Sequence, residues 1–309
     1  MISEKIEVAA VLVTYNRVAL LKRAIDSLLK QSVELKYIVI VNNNSTDGTR
    51  DYLDNNENDK IKFIHLNENT GGAGGFHVGI NMACDLDISH VWIMDDDAIA
   101  SETALESLID ANHFLMSKNI APGFLCSYVL SDSGDCMNVP EISKKKGGAG
   151  YSNWPEFASE GIIGVDKATF VSVFLSTDVV KGLGLPIKEM FIWGDDSEYT
   201  WRISNKYHCY LVAKSIVYHK RVLAKSLSLV TEENPVRISW YKFLYRNSFY
   251  NIKKHGRKKD FIFYFSHIFN EIIKILLHAK NQKFKKVFTI ISGVLGALFF
   301  NPKIKFPGE

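Results

Sequence analysis

Val8-Ala-Ala-Val-Leu-Val13 is an unbroken apolar run, and Thr14-Tyr15-Asn16-Arg17 ends it. A strand with one face in water alternates apolar and polar residues, so an unbroken run marks a strand covered on both faces. Residues 18–31 follow, with apolar side chains at Leu20, Leu21, Ala24, Ile25, Leu28 and Leu29, the spacing of one helix face. The alternation then repeats: strand at 37–41, helix at 49–55, strand at 61–66, helix at 76–84, strand at 90–94. This pace predicts an α/β fold with a doubly wound, mostly parallel sheet and right-handed crossovers. Ligands of such sheets collect beyond the carboxyl ends of the strands. Each of those ends here carries a polar cluster or a Gly-rich loop: Thr14-Tyr15-Asn16-Arg17, Asn42-Asn43-Asn44-Ser45-Thr46-Asp47-Gly48, a loop over residues 69–75, and Asp95-Asp96-Asp97.

The 309 residues are 47% hydrophobic and 12% aromatic, which excludes intrinsic disorder and allows a sizeable core. The net charge of +3 hides an asymmetry. Residues 226–309 hold 15 Lys and Arg against 5 Asp and Glu, a net +10, whereas residues 1–225 hold 22 against 29, a net −7. The division predicts a catalytic or binding domain over 1–225 and a basic, helical C-terminal region over 226–309 that meets an anionic surface. The near-neutral total argues against a nucleic-acid binder. Cys84, Cys126, Cys136 and Cys209 form no C-x-x-C pair or zinc spacing and read as reduced thiols of a reducing compartment. The polar start and the shortness of the first apolar run give no secretory leader. The longest mainly apolar stretch without a charge, residues 287–300, falls short of the roughly 20 residues that cross a bilayer. A cytoplasmic protein, peripheral at the inner face of the membrane, is the expectation.

Three adjacent carboxylates after a strand repel one another, and a divalent cation, Mg²⁺ or Mn²⁺, relieves the repulsion. The alternative is a helix starting at Ala98 with acids at its N-terminus, which accounts for one Asp better than for three. The glycines of Asn69-x-Gly71-Gly72-x-Gly74-Gly75 allow close backbone approach to a diphosphate, and the helix after them offers free N–H groups. Asp195, Asp196 and Glu198 form a second acidic set among Trp193, Tyr199 and Trp201, where desolvation would raise basicity. On a helix Asp195 and Glu198 would share a face and Asp196 would point elsewhere; an N-capped helix packed through Trp201 is the bland alternative. His219, leaving a strand, is by itself one of nine histidines.

Together these elements resemble the inverting family 2 glycosyltransferases of GT-A fold. The matching residues are Val13-Thr14-Tyr15-Asn16-Arg17, Val41 to Gly48, the Asn69 to Gly75 loop with Asn81, Asp95-Asp96-Asp97, and Trp193-Gly194-Asp195-Asp196-Ser197-Glu198, across residues 8–225. Within that family the Asn-x-Gly-Gly-Ala-Gly-Gly-Phe76 segment, the triple Asp and Phe191-Ile-Trp-Gly-Asp-Asp-x-Glu-Tyr look most like bacterial galactofuranosyltransferases, with rhamnosyltransferases as near neighbours. The resemblance implies that Thr14, Asn16 and Arg17 lie along the donor nucleotide, and that Asn69, Gly71 and Gly72 border its ribose or phosphates. Asp95, with Asp96 beside it, would contact the sugar-nucleotide, and Trp193 would flank the donor. Asp97 and His219 would hold the metal, and Asp196, next to Asp195, would be the general base. Asn42 stands where the family usually has an Asp that reads uracil, so uridine and thymidine donors both stay open.

The implied reaction moves a sugar from a nucleotide-diphosphate donor to a hydroxyl of a glycan or lipid-linked acceptor in cell-surface polysaccharide synthesis. A sugar-phosphate nucleotidyltransferase is the rival enzyme class, but it needs a Gly-rich, Arg- and Lys-bearing loop where Thr14-Tyr15-Asn16-Arg17 stands. A non-catalytic nucleotide-sugar-binding module would require the second acidic set to be structural. The tail mixes bases and aromatics, including Lys253-Lys254-His255-Gly256-Arg257-Lys258-Lys259. That pattern suits an anionic membrane interface, and a packed helical subdomain or homo-oligomer contact is the alternative.

Overall fold

The computed structural model describes residues 6–220 and 228–309; the polar start at 1–5 and the boundary expected at 225/226 lie outside them. The first apolar run is strand β1 (Val8–Thr14), followed by helix α1 (Val18–Leu29), which turns Leu21, Ala24, Ile25 and Leu28 onto the sheet. The alternation continues through β2 (Tyr37–Asn42), α2 (Thr49–Asp54), β3 (Ile61–His65), α3 (Gly71–Cys84) and β4 (His90–Asp95). β1 pairs in parallel with β2 and β4, and β2 with β3, so Ala9, Ala10, Val11 and Leu12 are wholly enclosed. The strand order β3-β2-β1-β4 reverses between β1 and β4. Such a switch point opens a crevice at the carboxyl ends of the two strands.

Beyond β4 come β5 (Ala98–Ala100), α4 (Ala104–Ser117), β6 (Pro122–Leu130), β7 (Glu141–Ile142), β8 (Ile162–Lys167), β9 (Val173–Ser176), α5 (Thr177–Leu183), α6 (Asp195–Ser204) and β10 (His208–His219). These complete the sheet in the order β3-β2-β1-β4-β9-β6-β10-β8-β7, with β5 paired to β10. β9 runs antiparallel between β4 and β6, whereas β10 is parallel to β6 and antiparallel to β8 and β5. The segment after Cys126 that lacks a regular sequence pattern thus holds short strands.

Two local expectations change. Ala98 begins a strand, not a helix, so helix capping does not account for the three aspartates. The glycines at 71–75 are the opening turns of α3, not a loop before it. Two of them, Gly71 and Gly75, stand where α3 presses on a distant loop and on the sheet. A Cβ at Gly75 would lie 2.3 Å from Val13 Cγ1, and one at Gly71, where φ is +72°, would lie 2.0 Å from the Phe191 carbonyl oxygen.

The C-terminal region is helical, as α7 (Pro235–His255), α8 (Lys258–His278) and α9 (Lys283–Phe299). Asn234 Oδ1 accepts from the N–H groups of Val236 and Arg237, and Pro235 occupies the first turn, a strong helix start. The three helices share a core that includes Tyr241, Tyr245, Phe249, Tyr264, Ile275 and Ile290. α9 crosses α7 closely at Gly293, where a Cβ would stand 2.5 Å from the Lys242 carbonyl oxygen. α8 is long and apolar enough to cross a membrane by length and composition, once Glu271 and Lys274, which interrupt its apolar run, are tolerated.

Candidate active site

The register of the sheet assembles one wall of the crevice. Val13 of β1 lies opposite Asp95 of β4, which brings the turn after β1 to the three aspartates. Arg17 Nη1 donates to Asp96 Oδ1 at 3.2 Å and to Asp97 Oδ2 at 2.8 Å. The antiparallel β5–β10 ladder sets His219 opposite Ala98, and so beside Asp97, although the two are far apart in sequence. His219 Nε2 is 2.9 Å from Asp97 Oδ1, and Nδ1 is 2.8 Å from Asn138 Oδ1. Because an amide oxygen only accepts, Asn138 holds the proton on Nδ1 and turns Nε2 to the carboxylates.

Ligand atoms of Asp95, Asp97 and His219 all lie within 4.8 Å of one another. Two carboxylates and an imidazole are a donor set for a divalent ion such as Mn²⁺ or Mg²⁺. The electrostatics agree with that fit. Burial, and then the negative charge of Asp97, push Asp95 up to about 7. Burial also raises Asp96, to about 6, against the pull of Arg17. Asp97 goes the other way: burial would raise it, but His219 and Arg17 together hold it below the ordinary carboxylate range. A cation between Asp95 and Asp97 would offset both the loss of water and the mutual repulsion that raise Asp95.

The opposite wall is the start of α6. The chain reaches it through Phe191, Trp193 and Gly194, all left-handed, with φ of 64°, 59° and 91°. Such a conformation is costly for the two aromatic residues and needs support from outside. The support comes from α7. Asn247 Nδ2 donates to the carbonyls of Met190, Ile192 and Trp193 at 2.9, 3.2 and 2.7 Å, and Asn251 Nδ2 donates to that of Gly194 at 2.8 Å. From the other side, the Ala73 N–H of α3 donates to the Phe191 carbonyl. So held, Asp195 and Asp196 face the aspartate–histidine wall. Burial raises both; for Asp195 the neighbouring Asp196 charge adds to it, and for Asp196 the Ser197 N–H partly offsets it.

The cavity between the walls has a volume of about 810 Å³. It is lined by Arg17, Asn69, Gly71, Gly72, Asp95, Asp96, Asp97, Trp193, Asp195, Asp196 and His219 among the residues singled out from sequence. Thr14, Asn16 and Asn42 do not line it. Thr14 is buried at the end of β1, where its hydroxyl helps to hold the Asp96 carboxylate down. Asn16 Oδ1 accepts from the backbone and hydroxyl of Thr46, tying the turn after β1 to the one after β2. Asn42 is fully buried; its Oδ1 accepts from the Ser45 N–H and its Nδ2 meets His65 Nδ1 at 2.9 Å, so both ends are engaged inside the protein. The start of α3 is also less open to an anion than expected, since Asn69 Oδ1 takes the Gly71 N–H and Phe191 takes that of Ala73.

Glu198 separates from the acidic set. Its carboxylate accepts from Arg202 Nε and Nη2 and lies 3.0 Å from His255 Nε2, under the cleft and not in it. Asn138 and Trp240 also shape the site and carry no local signal: a loop Asn and an aromatic of the basic tail become visible only when the sheet and α7 are in place.

Residues 9–118 match the family model described as Glycosyl transferase family 2. The galactofuranosyltransferase GlfT1 of Mycolicibacterium smegmatis is 24% identical over 204 residues, covering 62% of this chain and 63% of that protein. The chain thus spans a little under two thirds of the length of that relative. Among solved structures, GalNAc-T7 with UDP, GalNAc and Mn²⁺ aligns with a TM-score of 0.55 at 14% identity, over 77% of this chain and 48% of the other. TarS 1–349 of S. aureus in complex with UDP aligns at 0.53 and 16% identity, over 92% and 70%. At these identities the likeness is one of fold, and the fold is that of GT-A glycosyltransferase structures.

Proposed function

We propose that the protein moves a sugar from a nucleotide-diphosphate donor, UDP-galactofuranose in first place, to a hydroxyl of a glycan or lipid-linked acceptor, with inversion at the anomeric carbon. One observation carries the reading: Asp95, Asp97, His219 and Arg17 face Asp195 and Asp196 across a single cleft. The first wall is built to receive a diphosphate and the second to receive a proton. The activity named for the relative GlfT1 supports galactofuranose, and the UDP named in the TarS and GalNAc-T7 structures supports a uridine donor.

Asp95, Asp97 and His219 would hold the divalent ion, which supplies Lewis-acid neutralisation of diphosphate charge. Arg17, half-exposed above Asp96 and Asp97, is free to turn a guanidinium N–H toward a phosphate oxygen. Asp196 accepts the proton of the acceptor hydroxyl. The acceptor oxygen bonds to the anomeric carbon as the bond from that carbon to the diphosphate oxygen breaks, and the nucleoside diphosphate leaves with the electron pair. Trp193 and Trp240 supply flat apolar walls beside the cleft, suited to the face of a sugar ring.

A donor screen with Mn²⁺, comparing UDP-galactofuranose, UDP-hexopyranoses and dTDP-rhamnose, tests the reading by release of the nucleoside diphosphate. Turnover of dTDP-rhamnose alone overturns the donor assignment and keeps glycosyl transfer. No release from any of them, with donor binding intact, makes the chain a binding module.

A further inference from the structure

We propose that outward-facing apolar stripes on α8 and α9, flanked by lysine and arginine, dock the protein on the surface of an anionic lipid bilayer. α8 has two apolar faces. Tyr264, Ile268 and Ile275 turn inward and are buried in the helical core. Ile262, Phe265, Phe269, Ile273 and Leu276 recur every three or four residues on another face and are exposed. α9 repeats the pattern with Phe284, Phe288, Ile291, Leu295 and Leu298. Across the two stripes side-chain exposure runs from 38% to 87%, well beyond the scattered apolar residues of an ordinary soluble surface.

Charge identifies the occupant. Lys253 and Lys254 in the last turn of α7 and Arg257, Lys258 and Lys259 at the start of α8 stand at one end of that helix, and Lys280, Lys283 and Lys285 stand beyond the other. The region's 15 basic against 5 acidic residues would set like charges face to face if two copies met through this surface. An anionic bilayer complements both features. Phe, Ile and Leu enter the boundary between headgroups and acyl chains, while Lys and Arg stems run out to lipid phosphates. α8 lies along the bilayer and does not cross it, because its inner face is committed: Tyr264 Oη donates to the Tyr245 carbonyl at 2.9 Å, and α8 closes the core shared with α7 and α9.

Flotation of the full chain with phosphatidylcholine vesicles, with and without one quarter phosphatidylglycerol, tests the proposal. Binding to the anionic vesicles, at least tenfold weaker on the neutral ones and reduced by salt, is expected. Phe269→Ser with Phe288→Ser, and separately Lys258→Gln with Lys259→Gln, should each weaken vesicle binding about tenfold and leave the melting temperature and UDP affinity unchanged. Absence of wild-type flotation on anionic vesicles overturns the proposal. So does equal binding by a folded double-Phe variant, or a dimer in sedimentation equilibrium that the Phe variant dissociates while vesicles are ignored.

Discussion

Asn247 belongs to the basic tail, yet its amide holds the backbone that presents Asp195 and Asp196. Asn247→Ala removes a fully buried NH₂ whose two hydrogens serve three carbonyls, those of Met190, Ile192 and Trp193. Each lost bond costs about 1 kcal/mol net, and buried carbonyls left without donors add to this, so the variant should lose about 3 kcal/mol. In a chain of this size that is a fall of roughly 5 °C in melting temperature. Activity should fall further than stability, because Phe191 and Trp193 hold left-handed conformations that cost about 1–3 kcal/mol each and relax when the clamp goes. A displacement of Asp196 by about 1 Å is worth roughly 10²-fold in rate. The measurement is a pair, thermal unfolding beside donor turnover, on Asn247→Ala and on Asn247→Leu. Leu fills nearly the same space without a donor. The hydrogen-bond argument requires both variants to be impaired to a similar degree; a Leu variant with near wild-type stability and turnover would refute it and leave only packing.

Asp196→Asn should retain UDP binding and lose about 10²–10⁴-fold in transfer rate, the usual worth of a well-placed base, and unimpaired turnover would remove Asp196 from the mechanism. Since burial raises Asp196, the wild-type rate should climb with pH through an inflection above the free carboxylate value of 3.8 as the base loses its proton; a rate flat down to that value contradicts the assignment. Asp97→Ala and His219→Ala should each abolish the Mn²⁺-dependent part of UDP affinity in calorimetric titration, and metal-dependent affinity equal to wild type counts against the cation site. Glu198 gives a stability prediction with a definite sign. Burial would raise it, but His255 and Arg202 together hold it below its ordinary 4.5, so its contribution is complete above 4.5 and vanishes as pH falls through the lower folded value. Glu198→Gln should therefore cost about 3–5 kcal/mol in urea unfolding at neutral pH and progressively less toward pH 3; a cost independent of pH would mean the charge does not matter.

What the sequence made legible follows from how local each cause is. The β1 run needs no partner to be read, because an unbroken apolar strand requires cover on both faces wherever it sits. The glycines at 71–75 have two physical readings, because a backbone that closely approaches a ligand and a helix pressed on its neighbours, as at Gly71 and Gly75, both leave no room for a Cβ. The Phe191 carbonyl that meets Gly71 lies 120 positions away in the chain. His219 was connected to Asp97 only through family resemblance, since the β5–β10 register that joins them leaves no trace in either segment. For Glu198 the helical geometry was right and the companion wrong. Arg202, one turn on, and His255 of α7 outcompeted the cleft for its carboxylate. The tail's aromatic and basic pattern gave helices but did not separate Trp240 and Asn247, which face the cleft and its acidic loop, from Phe269 and Phe288, which face outward.

Asp97 on one wall and Asp195 and Asp196 on the other share a residue type but not a protonation behaviour, and their surroundings explain the difference. Asp97 lies between Arg17 and His219 and stays ionised against burial, so it offers negative charge to a cation at neutral pH. Asp195 and Asp196 are stabilised chiefly by N–H groups at the start of α6, which do not offset the loss of water, and their affinity for a proton rises. A carboxylate held low, as Asp97 is, offers charge to a cation without help, Asp95 would need the cation to lose its proton, and a raised carboxylate away from the cation suits a base. α7 maintains the second environment: Asn247 and Asn251 fix the carbonyls that carry the chain into α6, and Trp240 from the same helix lines the cleft. On its other side α7 packs against α8 and α9, so the surface inferred to meet lipid is one helix layer from the loop that leads to Asp195 and Asp196. The basic tail therefore helps set the environment of the carboxylates proposed to act as the base, and the two oppositely charged regions meet at the same cleft.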